Sequence, residues 1–322
     1  MGRSSKEVDD ADRDNRICRS LEIDFPIFLG GMAHVSRAEL VAAVSEGGGL
    51  GIIASGGMET EVLREEIEKV REMTERPFGV NLMLMEPEVE EKVQLVAEER
   101  VPVVTTGAGN PSKYMDELKS SGIKVFPVIA ASALARRVER YGADGVIAEG
   151  LEAGGHVGQV TTMVLVPSVV ESVDIPVIAA GGIADGRGMA AALALGAEGV
   201  QVGTRFAASL ESGIHPAYKR QILKANERAT TVTGESLGAP VRALGNKMTK
   251  RFSRLEEEGC SKEELEELAS GGLSRAVEEG DVEGGSLMAG QVAGLIGEEE
   301  GVDRIIEEMV AGCRKILRAV SF

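Results

Sequence analysis

An α/β fold, a (β/α)8 TIM barrel followed by a C-terminal helical lid, is predicted by three features of the sequence. Eight short apolar runs rich in Val and Ile recur between residues 26 and 206. They show little polar alternation, as strands buried on both faces of a parallel sheet do. Longer amphipathic stretches fill the gaps, and nearly every run ends in a Gly-containing turn. Eight strands alternating with helices over about 180 residues sit at the compact end of such barrels. A doubly wound open sheet is the alternative. It usually has fewer strands and an early GxGxxG turn, and the chain has no such turn between a strand and a helix.

The strand runs are residues 26–32, 50–54, 78–84, 101–107, 124–130, 145–150, 176–183 and 199–206. Ser36 followed by Glu39 predicts a capping box for a helix ending near Glu46. Residues 61–74 place Leu63, Ile67 and Val70 on one helical face with charges opposite. Residues 88–99, 112–121, 132–141, 162–173 and 186–195 are the further barrel helices. Beyond the barrel, residues 216–228 form a helix candidate, with His215 at its start. Residues 230–243 are rich in small residues and loop-like, and 247–254 are basic. Residues 261–269 form an acidic helix with a capping box at Ser261 and Glu264, residues 284–297 are glycine-rich and apolar, and 301–320 form an amphipathic helix. The expected organisation is a mobile N-terminal tail (1–18), the barrel (19–228), a lid over one barrel mouth (229–300) and a C-terminal helix packing on the barrel (301–322).

Composition excludes several classes. Of 322 residues, 41 are Gly, about 13% where roughly 7% is usual. They follow no three-residue period and sit inside apolar runs, so neither collagen nor a flexible linker is described. The net charge of −17 argues against nucleic acid as a partner, because an acidic surface repels phosphate backbones. No apolar stretch is long enough for a membrane span, and the charged N-terminus has no apolar core of a signal peptide. Cys18, Cys260 and Cys313 are far apart and form no CxxC pattern, so reduced thiols in a cytoplasmic protein are expected, with no bound metal.

In such barrels the C-terminal mouth carries the chemistry, and the loops after the seventh and eighth strands commonly hold a phosphate. Gly181-Gly182 and Gly203-Thr204 stand there. Backbone N–H groups can receive a phosphate without any lysine, and the Thr204 hydroxyl can add one bond. Gly154-Gly155-His156 follows the sixth strand, and Glu149 ends it. His156 is the candidate proton donor, since His titrates near neutral pH. Asn81 ends an otherwise apolar strand, where a polar amide needs a partner. Arg242, Lys247, Lys250, Arg251 and Arg254 form a basic cluster suited to steering an acidic partner.

These motifs resemble the flavin-dependent nitronate monooxygenase superfamily. The segments concerned are Asp24-Phe25-Pro26-Ile27 through Gly30-Gly31-Met32-Ala33, Gly79-Val80-Asn81, Glu152 to His156, Ala180 to Gly186, and Gln201 to Phe206. Residues 103–114, 146–150 and 284–291 are similar to one branch, the FMN-dependent enoyl-[acyl-carrier-protein] reductases of fatty-acid synthesis. The resemblance covers about residues 16–318. It implies FMN at the barrel mouth, with Gly182, Gly203 and Thr204 at the phosphate and Gln201 nearby. Gly31, Met32 and Asn81 are then expected along the ring and ribityl chain, with Glu149, Gly154, Gly155 and Gly181 also at the cofactor. His156 is placed at the flavin face as the catalytic group. The substrate side is assigned to His34, Ser286 and Met288. His34 departs from the branch, which often has an aromatic residue there.

The activity implied is reduction of a trans-2-enoyl thioester on acyl carrier protein, with NADH or NADPH as hydride source, by a homodimer. A monovalent cation is left open as a further cofactor. Two other readings are a nitronate monooxygenase, using the same flavin with O2, and a non-catalytic FMN- or phosphate-binding protein.

Overall fold

The computed structural model describes residues 15–319. Eight parallel strands form the barrel: β1 Ile27–Leu29, β2 Gly51–Ala54, β3 Phe78–Met83, β4 Val103–Gly107, β5 Lys124–Ile129, β6 Val146–Glu149, β8 Val177–Ala180 and β9 Gly199–Val202. Each falls inside one of the predicted runs. Their order around the sheet is β1-β9-β8-β6-β5-β4-β3-β2. The seam between β1 and β2 is closed through one residue. Leu50 N–H donates to the Ile27 carbonyl, and Leu29 N–H donates to the Leu50 carbonyl, both at 2.9 Å. Phe28 and Phe126 lie on opposite sides of the barrel and meet edge-to-face at 5.7 Å, filling the interior.

The barrel helices are Ala38–Glu46, Thr60–Met73, Val89–Glu98, Met115–Ser120, Ser132–Arg140, Thr162–Val170 and Gly186–Ala194. The expected capping box at Ser36 and Glu39 does not form. Ser36 Oγ instead donates to the Gly30 carbonyl at 2.8 Å and accepts from Met32 N–H at 3.2 Å, so it ties down the turn after β1. The helix start is served from a neighbour, since Ala38 N–H donates to the Glu66 carboxylate at 2.8 Å.

Of the expected tail, residues 1–14 lie outside the described residues. Residues 16–18 belong to a helix, Arg16–Leu21, capped by the Asn15 side chain. Ile17, Cys18 and Leu21 are buried, and a six-residue amphipathic turn beside an acidic stretch is too short to show a period.

The region after the barrel differs more from its sequence reading. Residues 230–244 are not a loop. They form a hairpin of β10 (Thr230–Thr233) and β11 (Val241–Leu244), and β11 also pairs with a two-residue strand, β7 (Gly155–His156). Short Thr-rich strands around a Gly-containing turn carry little apolar signal. The helix start at residue 216 is as predicted, and the His215 side chain accepts from Ala217 N–H at 3.1 Å. Helices Lys247–Glu258 and Lys262–Ala269 follow, the second with the expected Ser261 and Glu264 capping box. Met248, Phe252 and Leu265 give these two helices a small core of their own. The last helix, Val302–Ala319, packs against Gly186–Ala194. No helix among the described residues is long and apolar enough to cross a membrane.

Candidate active site at the C-terminal mouth

Parallel strands put all their carboxyl ends at one mouth, and the lid segments close over it. A cavity of about 330 Å³ lies between them. Its floor is the series of glycine turns. Gly31 and Met32 come from the turn after β1, and Gly181 and Gly182 from that after β8. Gly203 and Thr204 follow β9, and Gly154 and Gly155 precede His156 on β7. Two positions show why side chains are missing here. A Cβ on Gly31 would lie 2.6 Å from the Asn81 Cβ. Gly181 has φ +86°, and a Cβ there would lie 2.8 Å from the Gly150 carbonyl oxygen.

Asn81, Glu149 and Gln201 reach the cavity from β3, β6 and β9. The Asn81 amide donates to Thr105 Oγ1 at 2.9 Å, which fixes its orientation. Glu149 has no hydrogen-bond partner among the described residues, and burial pushes its pKa up to about 7. A carboxyl without a compensating charge keeps its proton longer in a low-dielectric site.

The turn after β9 opens into the short helix Thr204–Ala207, which has no side-chain cap, so its first N–H groups are not used by a side chain. Thr204 Oγ1 accepts from Gly290 N–H at 2.9 Å, and its own proton is not used in that bond. The helix after β8 is different. Asp185 caps it, accepting from Arg187 N–H at 2.8 Å and Gly188 N–H at 3.2 Å. Burial raises the Asp185 pKa, but Arg187 and these N–H groups outweigh it and hold the carboxylate below its ordinary range. An anion near β8 therefore meets the Gly181-Gly182 turn and not that helix end.

His156 stands on β7, outside the barrel sheet, and faces the cavity. Met288 lines the cavity beside this turn, its sulfur 3.7 Å from where a Cβ on Gly155 would lie, and Tyr218 donates from its hydroxyl to the Met288 carbonyl at 2.7 Å. Two expected substrate residues are not brought to the cavity wall. His34 has φ 62° and its Nδ1 lies 3.1 Å from Glu278 Oε1 on the lid. Ser286 is buried, with its N–H donating to the Gly272 carbonyl at 2.9 Å.

Sequence reasoning missed Glu152 and Tyr218 as lining residues. The Glu152 carboxylate accepts from Thr162 N–H and Oγ1, both at 2.9 Å, and its carbonyl accepts from Gln291 N–H at 3.0 Å. A buried tyrosine hydroxyl must find a partner, and that signal could have singled out one of only three Tyr. The basic cluster divides. Arg242 is buried in β11, whereas Lys247, Lys250, Arg251 and Arg254 are exposed at helical spacing on Lys247–Glu258. Lys250 and Arg251 form no ion pair among the described residues; Lys247 meets Glu283 at 3.2 Å.

A model of the nitronate monooxygenase family matches residues 15–93 and 85–312. The chain belongs to this family. FabK from Thermotoga maritima has a TM-score of 0.93 and 55% identity, covering 94% of this chain and 97% of its own. A nitroalkane oxidase from Streptomyces ansochromogenes gives 0.82 and 32%, covering 93% and 98%. Among curated relatives, a (3aS,4S,5R,7aS)-5-hydroxy-7a-methyl-1-oxo-octahydro-1H-indene-4-carboxyl-CoA dehydrogenase of Mycobacterium tuberculosis is 35% identical over 89% of this chain and 92% of its own. A probable nitronate monooxygenase of Staphylococcus haemolyticus is 37% identical, covering 75% and 81%. The family's enzymes are FMN-dependent oxidoreductases.

The cavity residues fit that cofactor. Among the described residues lining the cavity there is no Lys or Arg, so a phosphate there would have to be met by backbone N–H groups and hydroxyls such as that of Thr204. The glycine floor lets a flat ring approach the backbone, and Met32, Met83, Val128 and Ile183 supply apolar walls.

Proposed function

We propose that the protein is an FMN-dependent enoyl-thioester reductase, acting on trans-2-enoyl groups carried by acyl carrier protein with NADH or NADPH as reductant. The observation that carries this reading is the 55% identity to FabK over 94% of the chain. That likeness takes in the lid as well as the barrel, and we read it together with the reductase-branch motifs at residues 103–114, 146–150 and 284–291. The name of the M. tuberculosis relative also places a CoA thioester on a related protein.

Gly182, Gly203 and Thr204 would hold the FMN phosphate, and Gly31, Met32, Asn81 and Gln201 would follow the ring and ribityl chain. When bound, FMN supplies hydride transfer from the nicotinamide to the β-carbon of the enoyl thioester. The α-carbon then needs a proton, and His156 gives it from its imidazole, acting as general acid from the lid side of the cavity. Protonation there relieves the enolate charge that develops on the thioester. Glu149, whose pKa burial raises to about 7, would be mostly uncharged beside the cofactor below that pH. The lid segment around Gly290 is bonded to Thr204 and Glu152 and shields the site from water. Met288 forms part of the wall along the acyl group.

The curated names also favour a second reading, a nitronate monooxygenase. The two are separated by mixing the purified, FMN-loaded protein with NADH and crotonyl-CoA while following absorbance, then with an alkyl nitronate while following oxygen. NADH loss that depends on the thioester is expected. Oxygen uptake with nitronate and no thioester turnover would overturn the reductase reading.

A further inference from the structure

His156 lies in the loop after β6, but its strand pairs with the lid and not with the barrel sheet. Its strand, β7, is two residues long and pairs only with β11, with His156 opposite Val241 and Gly155 opposite Arg242. One more bond extends the pairing, from Val157 N–H to the Pro240 carbonyl at 3.0 Å. A two-residue edge strand that contains one glycine and follows another has little conformational preference of its own. Something else must set where its side chain points.

Arg242 is placed to do so. It is 6% exposed although it carries a charge. Its Nε donates to the Leu151 carbonyl at 3.2 Å, and its Nη1 donates to Thr230 Oγ1 at 3.0 Å. Its backbone faces Gly155 across the sheet. Arg242 therefore grips the turn from Leu151 to His156 at both ends, through its side chain at the start and its main chain at the finish. Burial lowers its pKa, and the Glu152 carboxylate of the same turn raises it. Glu152 is in turn held by Thr162 on the barrel side. A charged group is costly to bury unless its donors are met, as two of these are by Leu151 and Thr230.

We infer that Arg242 is the positioning residue for His156: clamped between Leu151 and Thr230, it sets the turn that presents the imidazole to the cavity. This rests on the reading of His156 as proton donor. Arg242 does not line the cavity, so it acts through the turn and not by touching a ligand. The guanidinium fork matters as well as the charge, because a lysine cannot donate in both directions from a planar group.

The chain has only three histidines, His34, His156 and His215, so labelled imidazoles give a spectrum simple enough to assign with His156→Ala. In FMN-loaded protein, Arg242→Ala should shift or broaden the His156 resonance and leave those of His34 and His215 in place. FMN content should stay at the wild-type ratio. Turnover of crotonyl-CoA should fall about 10-fold or more through kcat, with KM changed less than about 2-fold. Arg242→Lys should lie between. In a His156→Ala background the same change should cost less than about 2-fold, since the two act as a unit.

Thr230→Val, which removes one acceptor and alters little else, should move the His156 resonance in the same direction and serves where Arg242→Ala does not fold. An unmoved His156 resonance in both variants overturns the inference. So does loss of FMN with all three resonances displaced, or full additivity with His156→Ala. If the wild type shows no thioester turnover while the His156 resonance still follows Arg242, the reductase reading fails and the positioning role stands.

Discussion

Glu149→Gln should raise the stability of the FMN-free protein in mildly alkaline solution. The Glu149 carboxyl ends β6 with no partner among the described residues, and burial moves its pKa from an ordinary 4.5 to about 7. The folded protein thus holds this proton up to about pH 7, while the unfolded chain releases it near 4.5. Between those values the folded state binds more protons than the unfolded one, so stability falls as pH rises. Each pH unit across that window is worth about 1.4 kcal/mol, so the loss is about 3 kcal/mol once the pH is above 7. With an unfolding entropy of about 2.1 cal/mol/K per residue, a chain of 322 residues converts this to a thermal midpoint difference of about 5 °C. The chain has no Trp, so far-ultraviolet circular dichroism is the suitable probe. Midpoints of wild type and variant would be measured from pH 5 to pH 8.5. From pH 5, about two pH units of that window are crossed, so the wild type should lose about 4 °C more than the variant across that range. Parallel profiles would refute the reasoning, since they would mean that the carboxyl is already hydrated or paired in the folded state.

His156→Ala should lower enoyl-thioester turnover about 100-fold while FMN content is unchanged; an unaltered rate removes His156 from the proton step. Gly181→Ala forces a side chain onto φ +86°, with its Cβ 2.8 Å from the Gly150 carbonyl oxygen. It should cost at least about 1 kcal/mol and release FMN, read by thermal midpoint and flavin absorbance. Reversing charge at Lys250 and Arg251 should raise KM for carrier-protein thioesters more than for CoA thioesters, and more so at low salt. Equal effects on both substrates would show that this helix face does not meet the carrier.

The barrel was legible because its strands are buried on both faces and therefore read as unbroken apolar runs. The floor of the cavity was legible for a related reason: a glycine at the end of most runs marks where backbone comes close to something else. Gly31, Gly181, Gly182 and Gly203 all lie at the mouth. What the sequence hid is the set of contacts made across long separations. Ser36 has the spacing of a capping residue, yet its hydroxyl serves Gly30 and Met32, while Glu66 caps the helix in its place. The β10–β11 hairpin hid because Thr-Thr-Val-Thr has no apolar period, and its role is visible only when β7 pairs with it. His34 shows the opposite limit. A residue adjacent in sequence to the glycine turn takes a positive φ and meets Glu278, and is not among the residues that line the cavity.

The sheet that carries His156 also sets an order of events during synthesis. A chain that has emerged as far as Ala225 contains all eight barrel strands and the whole glycine floor. It lacks β10 and β11, whose pairing with β7 spans 85 residues from His156 to Val241. His156 is thus synthesised 85 residues ahead of Val241, the residue opposite it on the strand that β7 pairs with. The stretch from Ala225 to Thr230 therefore joins the barrel to the strands on which the His156 turn rests.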